Sequence, residues 1–354
     1  MSAPLLDVRH LHKSFGGARG LFRTARRAQV VTDVSFTIGR GETYGLVGES
    51  GSGKSTIGRT ILRLLEPDSG EVRFDGEDIV GLSRSDLRRL RRRVQIIFQD
   101  PFSSLDPRVR VGEVLAEPIR LHRLRASGDV TARVDELLQT VGLAPHHKDR
   151  YPHEFSGGQR QRIAIARALA VEPDLIVCDE AVSALDVSIQ AQVLNLLARL
   201  RDDLGVSYLF ISHDMSVVRY ISDRVGVLYA GRIVETGPAE EVFARPRHPY
   251  TRMLLAATPS LGRPRRTRAD DITGAPPSPY ERLPGCAFAS RCSFATETCR
   301  AETPPLDTFA DGAHEAACWH AETLAAEPSE ETTGPVVPEM SPAFRRRMAL
   351  LREA

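Results

Sequence analysis

The sequence lacks any long apolar run. No stretch of its 354 residues approaches the roughly 18 consecutive apolar residues that a membrane-spanning helix requires. Residues 1–15 also contain no apolar core of a secretory signal. From these absences we expect a soluble, cytoplasmic protein, without a membrane-spanning helix or a secretory signal. An apolar content of 42% is sufficient for a globular core.

An excess of charge of either sign is absent as well. The chain has 47 basic and 46 acidic residues, a formal net charge of +1, so no overall field attracts nucleic acid or an anionic membrane. Arginines between Arg84 and Arg93 form a dense basic run, but no aromatic residues are interleaved with them for base stacking. This run is more typical of the solvated face of a short helix. We expect no nucleic-acid partner.

Short β-rich segments alternate with helical patterns up to about residue 245. The alternation predicts an α/β fold with a largely parallel sheet flanked by helices. The region 101–169 is a predicted helical insert, with helices at 111–121 and 130–141. The predicted buried strands are residues 43–47, 174–178 and 206–211.

Beyond residue 245 the composition shifts to proline and arginine, and the periodicity breaks. Residues 1–245 are therefore predicted to form the main domain, and residues 246–324 a loop-rich extension. Residues 325–354 are predicted to be a mobile tail.

Lysine is scarce, and one of the three lysines ends a glycine-rich segment. The segment Gly48-Glu-Ser-Gly-Ser-Gly-Lys-Ser-Thr56 lies between a predicted strand and a predicted helix, residues 56–65. In that context it predicts a phosphate-binding P-loop. Its glycines let backbone N–H groups curl toward phosphate oxygens, Lys54 neutralises phosphate charge, and Ser55 would bind Mg²⁺. The candidate nucleotide-binding residues are Gly48, Glu49, Ser50, Gly51, Ser52, Gly53, Lys54, Ser55 and Thr56.

A P-loop occurs in kinases, GTPases and many ATPases, so other motifs must decide the class. Phe155-Ser-Gly-Gly-Gln-Arg-Gln-Arg162 precedes a helical run, where exposed N–H groups could meet an anion. Taken alone, it also fits an ordinary glycine-containing helix start. The next motif, Leu175-Ile-Val-Cys-Asp-Glu180, is an apolar strand that ends in two carboxylates. This ending is typical of an Mg²⁺-organising Asp179 followed by a catalytic Glu180.

These motifs, in this order, resemble the nucleotide-binding subunit of an ABC transporter. The resemblance covers roughly residues 5–245 and departs from the family pattern at Phe155, where leucine is usual. It implies an ATPase with a RecA-like P-loop NTPase core, an antiparallel β subdomain and a helical insert. It also implies a head-to-tail pair of subunits, in which ATP lies between the P-loop of one and the Ser156 loop of the other.

The resemblance also assigns roles to single residues. Gln99, in Ile96-Ile-Phe-Gln-Asp-Pro101, matches the Q-loop, and His213, in Ile211-Ser-His-Asp214, matches the switch histidine. Glu180 would accept the proton of the attacking water. The implied catalytic residues are Glu180, His213, Gln99 and Lys54. The implied Mg²⁺-binding residues are Ser55, Gln99 and Asp179.

Further nucleotide contacts are implied at the subunit boundary and at the adenine. Phe15 is the candidate for stacking on adenine, with Phe22 as the rival, because an arginine-rich insertion near residues 18–27 makes the match there loose. Asp186, in Ser183-Ala-Leu-Asp186, matches the D-loop that crosses to the other subunit. The implied contacts to the other subunit's nucleotide are Ser156, Gly157, Gly158, Gln159 and Asp186.

The chain resembles the oligopeptide/dipeptide importer subfamily in particular. Ser183-Ala-Leu-Asp-Val-Ser-Ile-Gln-Ala-Gln192 and His248-Pro-Tyr-Thr251 carry this likeness. It implies a second ATPase subunit, the same or different, and two membrane permeases, contacted near residues 99–110 at the cytoplasmic face. An extracytoplasmic solute-binding protein would act indirectly. Relatives that serve nickel, glutathione or another small solute are the alternative, and a non-transport ABC ATPase is a further one.

Four of the five cysteines lie in the C-terminal extension, and in a cytosolic chain such a cluster indicates a metal site more than disulfides. Their spacing, C-x5-C-x6-C-x18-C, lacks the paired C-x2-C of a zinc ribbon and does not choose between Zn²⁺ and an iron–sulfur cluster. The resemblance favours a [4Fe–4S] cluster, with four free thiols as the remaining alternative. The fifth, Cys178, is predicted to be a buried core residue. The candidate ligands are Cys286, Cys292, Cys299 and Cys318.

Overall fold

The computed structural model describes residues 3–16, 27–100, 104–257, 274–281, 283–309 and 312–326. The strands are β1 Leu6–Phe15, β2 Ala28–Ile38, β3 Thr43–Val47, β4 Ser69–Phe74, β5 Glu77–Asp78, β6 Val94–Ile97, β7 Leu175–Asp179, β8 Ser207–Ser212, β9 Arg224–Tyr229, β10 Arg232–Pro238, β11 Asp307–Thr308 and β12 Glu315–Ala316.

Helices cover most of the chain between the strands. The α-helices are α1 Lys54–Ile61, α2 Arg84–Arg93, α3 Val111–Leu121, α4 Val130–Thr140, α5 Gly157–Leu169, α6 Val187–Leu204, α7 Met215–Ile221, α8 Ala239–Ala244, α9 Pro249–Ala256, α10 Glu297–Ala301 and α11 Ala321–Ala326. Short 3₁₀ helices are Ser127–Asp129, Pro145–Asp149, Pro152–Glu154 and Ala289–Arg291.

The main sheet has the strand order β11-β12-β10-β9-β3-β8-β7-β6. Strands β9, β3, β8, β7 and β6 run parallel, as the α/β alternation predicts. Each of β3, β7 and β8 is buried along its whole length, which explains their near-continuous apolar sequences. Since parallel strands end at one edge, the segments that follow β3, β6, β7 and β8 lie along that edge.

A second, antiparallel sheet has the order β2-β1-β4-β5. From Val34 to Ile38 alternate residues of β2 are buried, so one apolar face of this sheet can pack against the rest of the molecule. Phe36 from β2 belongs to one buried cluster with Ile57 of α1 and Leu209 of β8. The antiparallel β subdomain that the resemblance implies is therefore packed against the P-loop helix.

The helical region and one face of the main sheet share a buried core. Apolar residues of α3, α4, α5 and α6, such as Leu115, Leu138, Ile165 and Leu197, form one buried cluster. The helices predicted over 111–121 and 130–141 are confirmed, the second ending one residue earlier. In α2 only Leu90 is buried, so the arginine run is a solvated helix face, as predicted.

Several predicted boundaries are wrong by a few residues. The helix predicted over 56–65 is Lys54–Ile61, because the chain leaves the helix at Leu62 and Arg63 takes a left-handed φ of 47°. The strands predicted over 174–178 and 206–211 are each displaced by one residue, since the β7–β8 pairing begins at Leu175 opposite Ser207.

Residues beyond 245 contact the main sheet directly. Strand β12 pairs antiparallel with β10, with Ala316 opposite Glu235, and β11 pairs with β12. Tyr250 of α9 and Phe288 share a buried cluster with Tyr229 of β9. The composition changes at residue 245, but the chain beyond that residue still adds strands to the main sheet. The division into domains stays a prediction, and the tail predicted over 325–354 lies outside the described residues except for 325 and 326.

Candidate nucleotide site

The P-loop connects the end of β3 to the start of α1 by a tight path. A Cβ on Gly53, which has a φ of 109°, would lie 2.5 Å from the carbonyl oxygen of Val30. A Cβ on Gly48 would lie 2.1 Å from the carbonyl oxygen of Leu228. Only glycine fits at both positions, because any side chain would collide with neighbouring backbone.

Lys54 points back into the loop that precedes it. Its Nζ donates to the carbonyl oxygens of Gly48 at 2.7 Å and Glu49 at 2.8 Å, and the residue is 4% exposed. Burial lowers the pKa of Lys54, and the carboxylates of Glu180, Asp179 and Glu49 oppose this effect. The ammonium group is thus held by carbonyls that phosphate oxygens could replace.

The motif residues at the carboxyl ends of β3, β6, β7 and β8 lie close together. Ser55 Oγ donates to Asp179 Oδ1 at 2.6 Å. Gln99 Nε2 donates to Glu180 Oε2 at 2.9 Å, and His213 Nδ1 lies 3.4 Å from the same oxygen. Glu180 has a left-handed φ of 52°, a strained conformation that occurs at functional sites. The catalytic roles of these residues stay predictions.

The Ser156 loop presents the start of a helix at the surface. Ser156 Oγ accepts from the Gln159 N–H at 3.4 Å, and Gln159 Oε1 accepts from the Ser156 N–H at 3.1 Å. This reciprocal pair caps α5, and Ser156 is exposed. Phe155 is 3% exposed within the helical core. The departure from the family's leucine therefore preserves an apolar anchor behind the loop.

The remaining predicted nucleotide contacts are at the surface. Asp186 is exposed and directly precedes α6. Phe15 ends β1 and is 39% exposed, with Lys13 Nζ 5.4 Å from its ring centroid. Its rival, Phe22, lies outside the described residues. The stacking role of Phe15 stays a prediction.

Two P-loop contacts come from residues to which the sequence assigned no role at the nucleotide site. Arg291 donates to both carboxylate oxygens of Glu49, each at 2.9 Å, and the Glu49 N–H donates to Tyr250 Oη at 2.8 Å. In the chain, Arg291 is 242 residues from Glu49, and Tyr250 is 201 residues from it. No local pattern could indicate such pairs.

The predicted metal ligands of the extension line one small cavity. Phe288, Trp319 and His320 are also part of its wall. Burial raises the pKa of the Cys286 and Cys292 thiols, and that of Cys318 to about 12. Within the described part of the chain, no group of three or more His, Cys, Asp or Glu side chains is spaced to hold a metal ion. The cysteines that line the cavity are Cys286, Cys292, Cys299 and Cys318.

Cys178 lies apart from that cavity, in β7, and is 0% exposed. Burial raises the pKa of its thiol. The prediction of a buried core residue is confirmed.

A fully buried carboxylate joins β10 to the extension. Glu235 is 0% exposed and accepts from the backbone N–H groups of Arg247 at 2.7 Å and His248 at 3.0 Å. His314 Nε2 lies 2.7 Å from Glu235 Oε1 and is equally buried. The network connects a core strand, the segment before α9 and the segment before β12.

Family models and curated relatives match this chain. Residues 31–183 match the ABC transporter model, and residues 234–299 match the model described as oligopeptide/dipeptide transporter, C-terminal region. A putative peptide import ATP-binding protein of Brucella ovis is 51% identical over 315 residues, covering 89% of this chain and 97% of the relative. The chain belongs to the ATP-binding subunits of ABC transporters.

Other relatives agree with this membership. The dipeptide transport ATP-binding protein DppF of Haemophilus influenzae is 46% identical over 90% of this chain and 97% of its own length. The glutathione import ATP-binding protein GsiA of Shigella dysenteriae is 56% identical over 76% of this chain, but the match spans 44% of that protein.

Solved structures show the same fold. The cbiO1 protein of Clostridium perfringens, part of an ABC transporter complex, has a TM-score of 0.60 and 29% identity, over 68% of this chain and 91% of that one. A dimeric ATP-binding cassette in a post-hydrolysis state with ADP and Pi has a TM-score of 0.59 and 28% identity, over 66% and 98%. This ABC subunit is therefore an ATPase with a P-loop NTPase fold. None of its described helices has the length and apolarity to cross a bilayer.

Proposed function

We propose that this ATPase energises a membrane importer of di- or oligopeptides. The observation that supports the proposal most is the match of residues 234–299 to the C-terminal region of oligopeptide and dipeptide transporters. Core ABC motifs are common to the whole family, so the C-terminal match is what narrows the substrate class. Peptide-import relatives that align over about nine-tenths of the chain are consistent with it.

The phosphate site has the chemistry that Mg-ATP requires. Ser55, Asp179 and Gln99 would hold Mg²⁺, and they fit because this ion prefers oxygen ligands. The Ser55 and Asp179 oxygens already converge at 2.6 Å. Bound there, the ion would neutralise charge on the β- and γ-phosphates. Lys54 would exchange its two loop carbonyls for phosphate oxygens.

Glu180 would act as the general base for the attacking water. Its Oε2 contacts both Gln99 and His213, so two neighbours restrict the carboxylate to one orientation. A restricted carboxylate is placed for proton transfer in the transition state. Gln99 and His213 would thus position the base.

The Ser156–Gln159 loop and Asp186 would serve the nucleotide of a second ATPase subunit, the same or a different chain. The start of a helix as long as α5 favours an anion, and Ser156 at this position is exposed. The dimeric ADP-bound relative is consistent with this pairing. A lone subunit would then bind ATP but hydrolyse it poorly.

Transport requires partners that supply the membrane path. We infer two permease subunits, contacted near residues 99–110, a peripheral location at the cytoplasmic face, and an extracytoplasmic solute-binding protein that acts indirectly. Residues 101–103 of that segment lie outside the described residues. A glutathione importer is the second candidate, because GsiA is the relative of highest identity over its matched region among those named above.

Affinity purification from detergent-solubilised membranes tests the transport role. We expect the tagged full chain to recover two multi-span permeases and a second ATPase subunit. Recovery with ribosomes or DNA and without permeases would contradict the proposal and favour a non-transport ATPase. Uptake of labelled dipeptide and of labelled glutathione by cells with and without the gene would separate the two solutes.

The cysteine cavity supports a metal cofactor in the extension. All four cysteines line one small cavity with apolar walls, and thiolates are the ligands that iron–sulfur clusters and Zn²⁺ take. A single Zn²⁺ requires four sulfurs about 2.3 Å from one point, and the described residues contain no such group. We infer a [4Fe–4S] cluster at this position, with Zn²⁺ as the alternative, because four thiols beside one cavity are the ligand set that such a cluster takes.

Metal analysis of anaerobically purified protein tests this assignment. We expect a brown protein with about four irons and four sulfides per chain, and loss of both in Cys292→Ser. The buried thiol Cys178, which lies outside the cavity, offers the matched control Cys178→Ser. Colourless protein that contains stoichiometric zinc would contradict the cluster.

A further inference from the structure

Glu49, the second residue of the P-loop, has a hydrogen-bond partner at each of its polar groups. The Glu49 N–H donates to Tyr250 Oη, and its carbonyl oxygen accepts from Lys54 Nζ at 2.8 Å. Its two carboxylate oxygens accept from Arg291. The Ser52 N–H also donates to the Glu49 carbonyl oxygen, at 3.2 Å. Two of the four partners, Tyr250 and Arg291, therefore come from beyond residue 245, outside the ATPase core motifs.

These two partners are themselves fixed by aromatic packing. Tyr229, Tyr250 and Phe288 have ring centroids between 4.6 and 5.5 Å apart. The Arg291 guanidinium lies 5.8 Å from the Tyr229 centroid and 5.7 Å from that of Phe288. Its side chain is 8% exposed. A bidentate pair between such restricted groups has a defined geometry.

Glu49 poses an electrostatic problem for a loop that binds phosphates. Glu49 belongs to the loop itself, and its carbonyl oxygen is 2.8 Å from Lys54 Nζ, so its negative charge lies close to the proposed site of the triphosphate. An unpaired carboxylate there would repel the nucleotide. The Arg291 guanidinium neutralises this charge. Together with Tyr250 it also fixes the backbone of Glu49, and thereby the direction of the N–H groups that follow it in the P-loop.

We propose that Arg291 and Tyr250 are positioning residues of the nucleotide site, through which the C-terminal extension holds Glu49 and raises the affinity of the P-loop for ATP. The ATPase core would then have full affinity only when the extension is folded against it. This inference concerns ATP binding and is independent of the transported solute.

Kinetics of full-length variants test the proposal. Arg291→Ala should raise the KM and Kd for Mg-ATP about tenfold, as is typical of a coupling between sites, with the turnover number at saturating ATP within about twofold of wild type. Arg291→Lys should recover part of the affinity, because it restores the charge but not the bidentate fork. Tyr250→Phe should give a smaller rise in Kd.

A double-mutant cycle separates positioning from a structural role. In the Glu49→Gln background, Arg291→Ala should no longer change the KM, because the charge that it neutralises is gone. The control is Arg300→Ala, an exposed arginine that is also adjacent to a cysteine of the cavity. Unfolding midpoints and metal content identify variants that are simply misfolded. An unchanged KM in Arg291→Ala, or the same rise in both backgrounds, overturns the proposal.

Discussion

Replacing Glu180 with glutamine should lower the turnover number for ATP by about 10²- to 10⁴-fold, the usual contribution of a general base. The amide keeps the size of the carboxylate but cannot accept the proton of the attacking water. ATP binding should persist, because Lys54 and the loop backbone are unchanged. Steady-state ATPase assays and nucleotide binding by equilibrium dialysis measure the two effects separately.

The control for this change is Glu240→Gln, an exposed carboxylate on α8, which should retain wild-type turnover. Trapped nucleotide and a stable dimer of ATPase subunits are expected for Glu180→Gln alone. Turnover of Glu180→Gln at the wild-type rate would show that another group accepts the proton, and the proposed role of Glu180 would be wrong.

The largest stability effect is expected at Glu235. Glu235→Ala removes a buried carboxylate that accepts two backbone N–H groups and lies 2.7 Å from His314 Nε2. Removing one partner from such a network costs about 3–5 kcal/mol of unfolding free energy. Urea unfolding followed by circular dichroism measures the loss, which should appear as a lower midpoint with little change in slope.

Two further variants make the Glu235 experiment interpretable. Glu235→Gln keeps one carbonyl oxygen as an acceptor and should lose less stability than the alanine variant. Glu240→Ala removes an exposed glutamate nearby and should change the unfolding free energy by no more than about 0.5 kcal/mol. Equal midpoints for Glu235→Ala and Glu240→Ala would mean that the buried network contributes nothing to stability.

The sequence predicts the phosphate side of the site well for a physical reason. The residues of this part lie at the ends of short apolar strands. Asp179 ends β7 and Glu180 follows it, His213 follows β8, and Lys54 follows the loop after β3. Parallel strands deliver such residues to one sheet edge whatever the loops between them do. Local patterns were therefore sufficient to place groups that are more than a hundred residues apart.

The contacts of the extension could not be predicted in this way. Arg291 contacts Glu49 from beside the packed rings of Tyr229, Tyr250 and Phe288, and this packing depends on tertiary structure. The pairing of β12 with β10 involves only two residues in β12, which is too short for a recognisable alternating pattern. The change in composition indicated a boundary at residue 245, but composition does not indicate which part of the main domain the segment beyond it contacts.

The short strand β12 has a consequence for truncated versions of this protein. It covers the side of β10 that faces away from β9, so both sides of β10 are occupied at Glu235 and Thr236. A chain that stops at residue 245 would present that side as an open sheet edge, which is a template for aggregation. In the full chain, β12 of the extension therefore keeps this edge of the main sheet from pairing with another chain at Glu235 and Thr236.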